Sequence, residues 1–167
     1  DYQTNAYIRY KSTGWTSWRP RTNHTGQAPT VITVKSSGGN FTTIPAALKY
    51  VHDKFDDNPN LRWLIKIDPG TYDISDEVIT LINTSAINKQ GLFIPPNTTV
   101  CGAGKDKTII RFIYSGTSDS IMSNVSLFNM PYESCLMDCS LIVKNIRYCI
   151  HSALNEAAMS EKYIDEL

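Results

Sequence analysis

The sequence predicts an all-β fold: a β-solenoid with its open end covered by one short helix, and a small β-hairpin ahead of it. Three observations predict this. Short β-rich runs follow one another, separated by turn-forming clusters such as PGTYD, IPPNTT, GAGKDK and MPYES. Apolar pairs recur at Leu64-Ile65, Phe93-Ile94, Ile109-Ile110 and Ile142-Val143 at uneven steps, as when each coil supplies strands to a shared core while its turns vary freely. A β-sandwich would give similar strand lengths, but one amphipathic helix stands early in the chain, and a solenoid needs its unpaired end edges covered.

The first element is the hairpin. In YIRYKSTGWTSWRPR (7–21), Tyr7 and Arg9 alternate with Ile8 and Tyr10, the chain turns at Ser12-Thr13-Gly14, and Trp15 and Trp18 follow on the returning arm. NHTGQAP (23–29) then reads as a linker, which divides the chain near Ala28 into a hairpin module, 1–28, and a solenoid domain, 29–167. VITV (31–34) is the next strand. Gly38 and Gly39 let the chain turn after it, and Thr42 or Thr43 caps a helix whose apolar face is Ile44, Ala47, Leu48 and Val51. Asp56-Asp57-Asn58-Pro59-Asn60 is a turn, because the residue before proline avoids the helical region, so the helix is expected over 43–55.

Seven β-rich runs follow: WLIKI (63–67), EVITL (77–81), GLFI (91–94), TTVCG (98–102), TIIRFI (108–113), SIMSNVSLF (120–128) and CSLIVKNIRYCIH (139–151). Gly102 and Gly104 close a coil corner between two of them. The chain begins at Asp1 without Met and stops within a polar segment, so a fragment of a longer protein is expected. The closing IDEL differs from the KDEL-type address.

Composition narrows the partners. Sixteen basic and sixteen acidic residues cancel without forming runs, so there is no electrostatic footprint for nucleic acid or an anionic membrane. No stretch approaches the roughly 20 apolar residues of a membrane-spanning helix, and no signal peptide opens the chain. Five Asn-X-Ser/Thr sequons, at Asn23, Asn40, Asn83, Asn97 and Asn124, reflect turns rich in Asn and Thr. Cys101, Cys135, Cys139 and Cys149 are too few and too irregular for a disulfide scaffold, and reduced, partly buried thiols are the default. The competing reading, zinc held by Cys135, Cys139, Cys149 and His151, lacks the paired short-spaced ligands of structural zinc sites.

Three stretches taken together, VITVKSSGGNFTTIPAALKYV, WLIKIDPGTYD and TTVCGAGKDKTII, resemble the opening coils of pectinesterase-like and pectate-lyase-like proteins. That family opens with a strand, a G-x-F-x-T-I turn and a capping helix. A strand ending in G-x-Y, here at Gly70, and an x-G-x-G-x-x-x-T-x-I turn come next. The resemblance covers residues 31–113 and implies a single-stranded, right-handed parallel β-helix of the pectin-lyase type. It carries fold and no chemistry, since the family's catalytic Gln-Asp, Asp-Phe and Arg motifs are missing from this sequence. YIRYKSTGWTSWRP is similar to short aromatic modules of bacteriophage tail-fibre and baseplate proteins. The pair of resemblances implies a tail fibre, tail spike or baseplate protein, assembled in the host cytoplasm into the virion tail. Its partners would be other virion tail and baseplate proteins and host cell-surface polysaccharide, as a homotrimer.

The residues themselves offer few chemical candidates. Gly38-Gly39 and GAGKDK (102–107) match neither the nucleotide-binding G-x-x-x-x-G-K-[ST] nor G-x-G-x-x-G, so Gly38, Gly39, Thr43, Gly70, Gly102 and Gly104 are read as cap and turn residues. Glycosidic cleavage needs two carboxylates roughly 5 to 9.5 Å apart. Asp68, Asp73, Asp76, Glu77, Glu133 and Asp138 are available, and stacked coils leave Glu133 and Asp76 free to face each other, but most such acids are solvated turn residues. His24, His52 and His151 are isolated, so no catalytic residue, cofactor or metal is assigned. Trp15, Trp18 and Trp63 are the carbohydrate-binding candidates, because flat apolar rings stack on sugars; hairpin packing for the first two and contact with the helix for Trp63 are the plainer alternatives. The expected function is positioning a phage adsorption apparatus and contributing to recognition of host glycans. The alternatives are a secreted polysaccharide lyase or esterase with its chemistry on later coils, and a purely structural virion connector.

Overall fold

The computed structural model describes residues 7–8, 11–12, 14–15, 19–20, 28–58, 60–74, 91–130 and 133–151. Four short strands come first: β1 (Tyr7–Ile8), β2 (Lys11–Ser12), β3 (Gly14–Trp15) and β4 (Arg19–Pro20). β1 pairs with β4 and β2 with β3, both antiparallel, which nests one ladder inside the other as in a hairpin.

From residue 30 onward every strand pairing is parallel among the described residues. TVITV alternates, and in β5 (Thr30–Val34) Ile32 and Val34 are buried while Val31 stays open. The same period of two places the inner side chains of β6 (Trp63–Ile67), β9 (Thr98–Cys101) and β10 (Thr108–Ile113) in the core. The remaining strands are β7 (Gly70–Asp73), β8 (Leu92–Phe93), β11 (Ser126–Asn129), β12 (Cys135–Met137), β13 (Ser140–Lys144) and β14 (Tyr148–His151). They form three sheets, ordered β5-β6-β9-β12, β7-β10-β13 and β8-β11-β14. From β6 on, successive strands visit the three sheets in fixed rotation, so each circuit of the chain lays one new strand on each sheet.

The register stacks like on like. Ile32, Ile65 and Val100 lie level across the first sheet, Tyr72, Ile110 and Leu141 across the second, and Leu92, Phe128 and Ile150 across the third. Except at exposed Ile150, those rows meet in one hydrophobic cluster that includes Val34, Ile67, Phe112 and Leu127. Helix α1 (Ile44–Asp57) lays its predicted face, Ile44, Ala47, Leu48 and Val51, onto that cluster and touches β5, β6 and β8. Thr43 is its N-cap, with Oγ1 accepting from the Ala46 N–H at 3.4 Å. An aromatic chain runs from Phe41 through Tyr50 to Trp63, with ring centroids 5.3 Å and 5.8 Å apart.

Several expected boundaries shift. The helix runs past 55 to Asp57, because Pro59 constrains only Asn58, which takes the extended conformation as C-cap. The run 120–128 is two elements, a short helix α2 (Asp119–Asn124) and then β11. The run 139–151 breaks at Asn145, whose φ of 59° turns the chain and whose Nδ2 donates to the Tyr114 carbonyl at 3.0 Å. PGTYD, read as a turn, contains β7, which finds its partner in β10. β12 was hidden because three residues with one inward side chain, Leu136, carry no measurable period. The expected strand at 77–81 lies outside the described residues.

Candidate functional site

Two concavities sit on the outside of the sheets. The first is a groove of about 180 Å³ at the N-terminal ends of the first sheet's strands, crossing four of them. Pro29 precedes β5, Arg62 precedes β6, Asn97 precedes β9 and Glu133 precedes β12, while Leu64, Thr99 and Cys135 form one outward row beneath. Asn97 and Glu133 hold the same corner in successive circuits with φ of 57° and 58°, so this backbone strain recurs with the coil and is architectural. Among the described residues neither Arg62 nor Glu133 has an ion-pair partner.

Trp63 borders this groove but is only 5% exposed, edge-on to Tyr50 of α1, and its indole Nε1 is buried without a hydrogen-bond partner among the described residues. Its ring therefore packs against the helix. Trp15 pairs through its backbone with Lys11 in the hairpin, and Trp18 lies outside the described residues.

The second concavity is a cleft of about 410 Å³ between the first turn of α1 and β7. Ser36, Thr42, Thr43, Ile44 and Pro45 form one wall, and the other is the continuous stretch from Pro69 to Ile74. Tyr72 donates its hydroxyl to the Asp68 carbonyl at 3.0 Å and the Val34 carbonyl at 3.4 Å, which fixes the ring; burial, and then the Asp68 charge, push its pKa up. Asp73 accepts two hydrogen bonds from Arg111, at 2.5 and 2.8 Å, and this bonding lowers its pKa while raising that of Arg111. Lys35 and Asp68 pair at 3.4 Å beside the cleft.

Gly38 has φ 69° in the turn between β5 and α1. Gly39 packs against Lys35 and the Phe41 carbonyl; Gly70 opens β7. Gly104 donates its N–H to Asp138, in the same corner as Gly102, where a Cβ would overlap the Asp138 carbonyl. Of the carboxylates, Asp68 and Asp73 are spent on ion pairs and Asp138 accepts from Cys101 Sγ at 3.7 Å. Asp76, Glu77 and His24 lie outside the described residues. His52 sits edge-on to Phe93, and His151 stacks on Tyr148.

Burial, then Asp138, raises the Cys101 thiol pKa, and burial followed by Cys101 and Asp138 raises that of Cys139. Protonated thiols are poor nucleophiles and poor ligands. Among the described residues no group of three or more His, Cys, Asp or Glu is arranged to hold a metal ion, so the zinc alternative is not assembled there. No described helix is long and apolar enough to cross a membrane.

Arg62 and the hydroxyls of Ser36 and Thr71 are the site residues that sequence reasoning passes over. Neither stands in a motif; both acquire meaning only when coils some 35 residues apart lie side by side, as Trp63 does beside Thr98. No protein-family model matches the chain, and no curated protein or solved structure matches it.

Proposed function

We propose that this chain forms the N-terminal coils of a right-handed parallel β-helix of the pectin-lyase type. In this reading it serves as a bacteriophage tail-fibre, tail-spike or baseplate component that helps recognise host cell-surface glycans. The observation that carries the reading is the fixed rotation of parallel strands through three sheets beneath a helix laid over their first coils. Right-handedness follows from the general preference of parallel strand connections. Residues 1–28 form the separate hairpin module, which joins the chain to other virion proteins.

The mechanism is geometric. A stiff solenoid holds shallow polar concavities at fixed positions, and repetition in a homotrimer raises weak contacts by effective concentration, by roughly 10²- to 10⁴-fold. A glycan array probed with this chain tests the recognition step. Binding to host-surface polysaccharides is expected, and silence across the array together with tight binding to tail proteins would leave the connector role in its place.

One observation favours a second reading. Glu133 is a carboxylate in a groove without an ion-pair partner among the described residues, and so is open to a substrate group that enters the groove. A polysaccharide lyase or esterase, with its remaining machinery on later coils, would release reducing ends or alcohol from host glycan. No turnover by the protein on glycans it binds would remove this reading.

A further inference from the structure

The cleft between α1 and β7 has the chemistry of a sugar and lacks that of an ion. Its lining alternates hydroxyls with apolar surface: Ser36, Thr42 and Thr71 on the rim, and Pro45 and Pro69 among them, over the buried Ile74. The side-chain hydroxyls of Ser36, Thr42 and Thr71 have no hydrogen-bond partner among the described residues. Each is able to donate one bond and accept two. Thr43 accepts from the Ala46 N–H and keeps its own O–H, and Tyr72 donates its O–H and keeps its oxygen as an acceptor.

Charge is excluded on both signs. The nearby cations, Lys35 and Arg111, are each taken by a carboxylate, Asp68 and Asp73, which are neutralised in the same act. The helix N-terminus offers little to an anion either. Pro45 has no N–H, Ala46 donates to Thr43 Oγ1, and Ala47 donates to the Thr43 carbonyl. At about 410 Å³ the cleft falls within the roughly 300–1,000 Å³ of small-ligand sites, whereas the groove at Arg62 and Glu133 is smaller and carries open charge.

We propose that this cleft binds one neutral pyranose unit of a surface glycan, with the ring's C–H face on Pro45 and Pro69 and its hydroxyls on Ser36, Thr42 and Thr71. The inference rests on the glycan-recognition reading above and gives it a location on the helix-capped coil. Both ion pairs act as rim walls whose charges are already satisfied, so the site discriminates against uronic acids: an incoming carboxylate meets acceptors and two cations already paired.

The test is saturation-transfer and amide-shift NMR on the whole chain. The probes are methyl glycosides of glucose, galactose, mannose and N-acetylglucosamine at about 10 mM, suited to millimolar affinity, with glucuronate as the anionic control. At least one neutral glycoside is expected to receive saturation more strongly than glucuronate and to shift the amides of Thr42, Thr71 and Tyr72. Thr42→Val with Thr71→Val is expected to weaken it at least about five-fold, the worth of a net hydrogen bond, while Lys54→Ala, near the far end of α1, leaves it unchanged. Thr71→Tyr, which fills the cleft, gives an independent block, and circular dichroism reports whether each variant folds. Should the variants misfold, the wild-type shift map still decides. Shifts centred on Arg62 and Glu133, or a preference for glucuronate, overturn the cleft assignment and keep the glycan reading. No transfer from any neutral glycoside overturns the assignment; only silence on the glycan array as well takes the broader reading with it.

Discussion

Gly102 shows how much a single residue decides in stacked coils. The Asp138 carbonyl of the next circuit occupies the place a side chain would take, and the Gly102 N–H donates to the Met137 carbonyl at 3.0 Å. Gly102→Ala therefore forces two backbones apart, an overpacking cost of about 1–3 kcal/mol, read as a lower urea midpoint at unchanged slope. Asp73 makes a prediction about pH. Its folded pKa is depressed by Arg111, so the stability it contributes is fully present above the unfolded carboxylate value of about 3.9 and is lost as pH falls through the folded value. The urea midpoint of the wild type is expected to fall more steeply below about pH 4 than that of Asp73→Asn. Equal slopes would show that the exposed pair contributes nothing to stability, as many surface pairs do.

At the scale of the element, α1 was the most legible feature of the sequence, and its cap gives the sharpest measurement. Thr43→Ala leaves the Ala46 N–H without its acceptor and is expected to cost about 0.5–2 kcal/mol in urea unfolding, while Thr43→Ser restores the wild-type value. A null result for the alanine variant would mean that water replaces the cap at no cost. The helix was readable because 14 residues give its period several turns in which to repeat, and because Thr and Pro punctuate its start. Strands of five or six residues, β6 and β10, were equally plain at Trp63–Ile67 and Thr108–Ile113. β12 and β7 were hidden for opposite reasons. Cys135–Met137 is too short to show alternation, and Gly70–Asp73 carries the glycine and aspartate of a turn although its backbone is held straight by β10. The concavities were invisible because Arg62, Asn97 and Glu133, or Thr42 and Thr71, belong to different coils, and no local pattern records which coils will touch.

For the whole molecule, unequal coil lengths explain both the missing sequence repeat and the proposed assembly. Thr30 pairs with Trp63, Trp63 with Thr98 and Thr99 with Cys135, while in the third sheet Phe128 pairs with Leu92 on one side and Ile150 on the other. Steps that vary in this way destroy sequence periodicity while keeping the inward rows mostly apolar, so the core repeats and the surface does not. That surface leaves apolar side chains on outward-facing positions of the second sheet. Ile113 and Ile142 are 47% and 45% exposed, on neighbouring strands β10 and β13, with the neutralised Arg111–Asp73 pair level with Ile142. Scattered exposed side chains are ordinary in a monomer, so these alone establish nothing. The homotrimer proposed above nevertheless has to bury some face, and this one offers apolar residues and an internally satisfied ion pair, with Lys144 beside Ile113 at its edge. Multi-angle light scattering is therefore expected to give three chain masses, shifting toward one on dilution, and Ile113→Glu with Ile142→Glu is expected to give a folded monomer. A monodisperse wild-type monomer at high concentration would eliminate the trimer. A trimer indifferent to both substitutions would keep the assembly but move its contact off the second sheet.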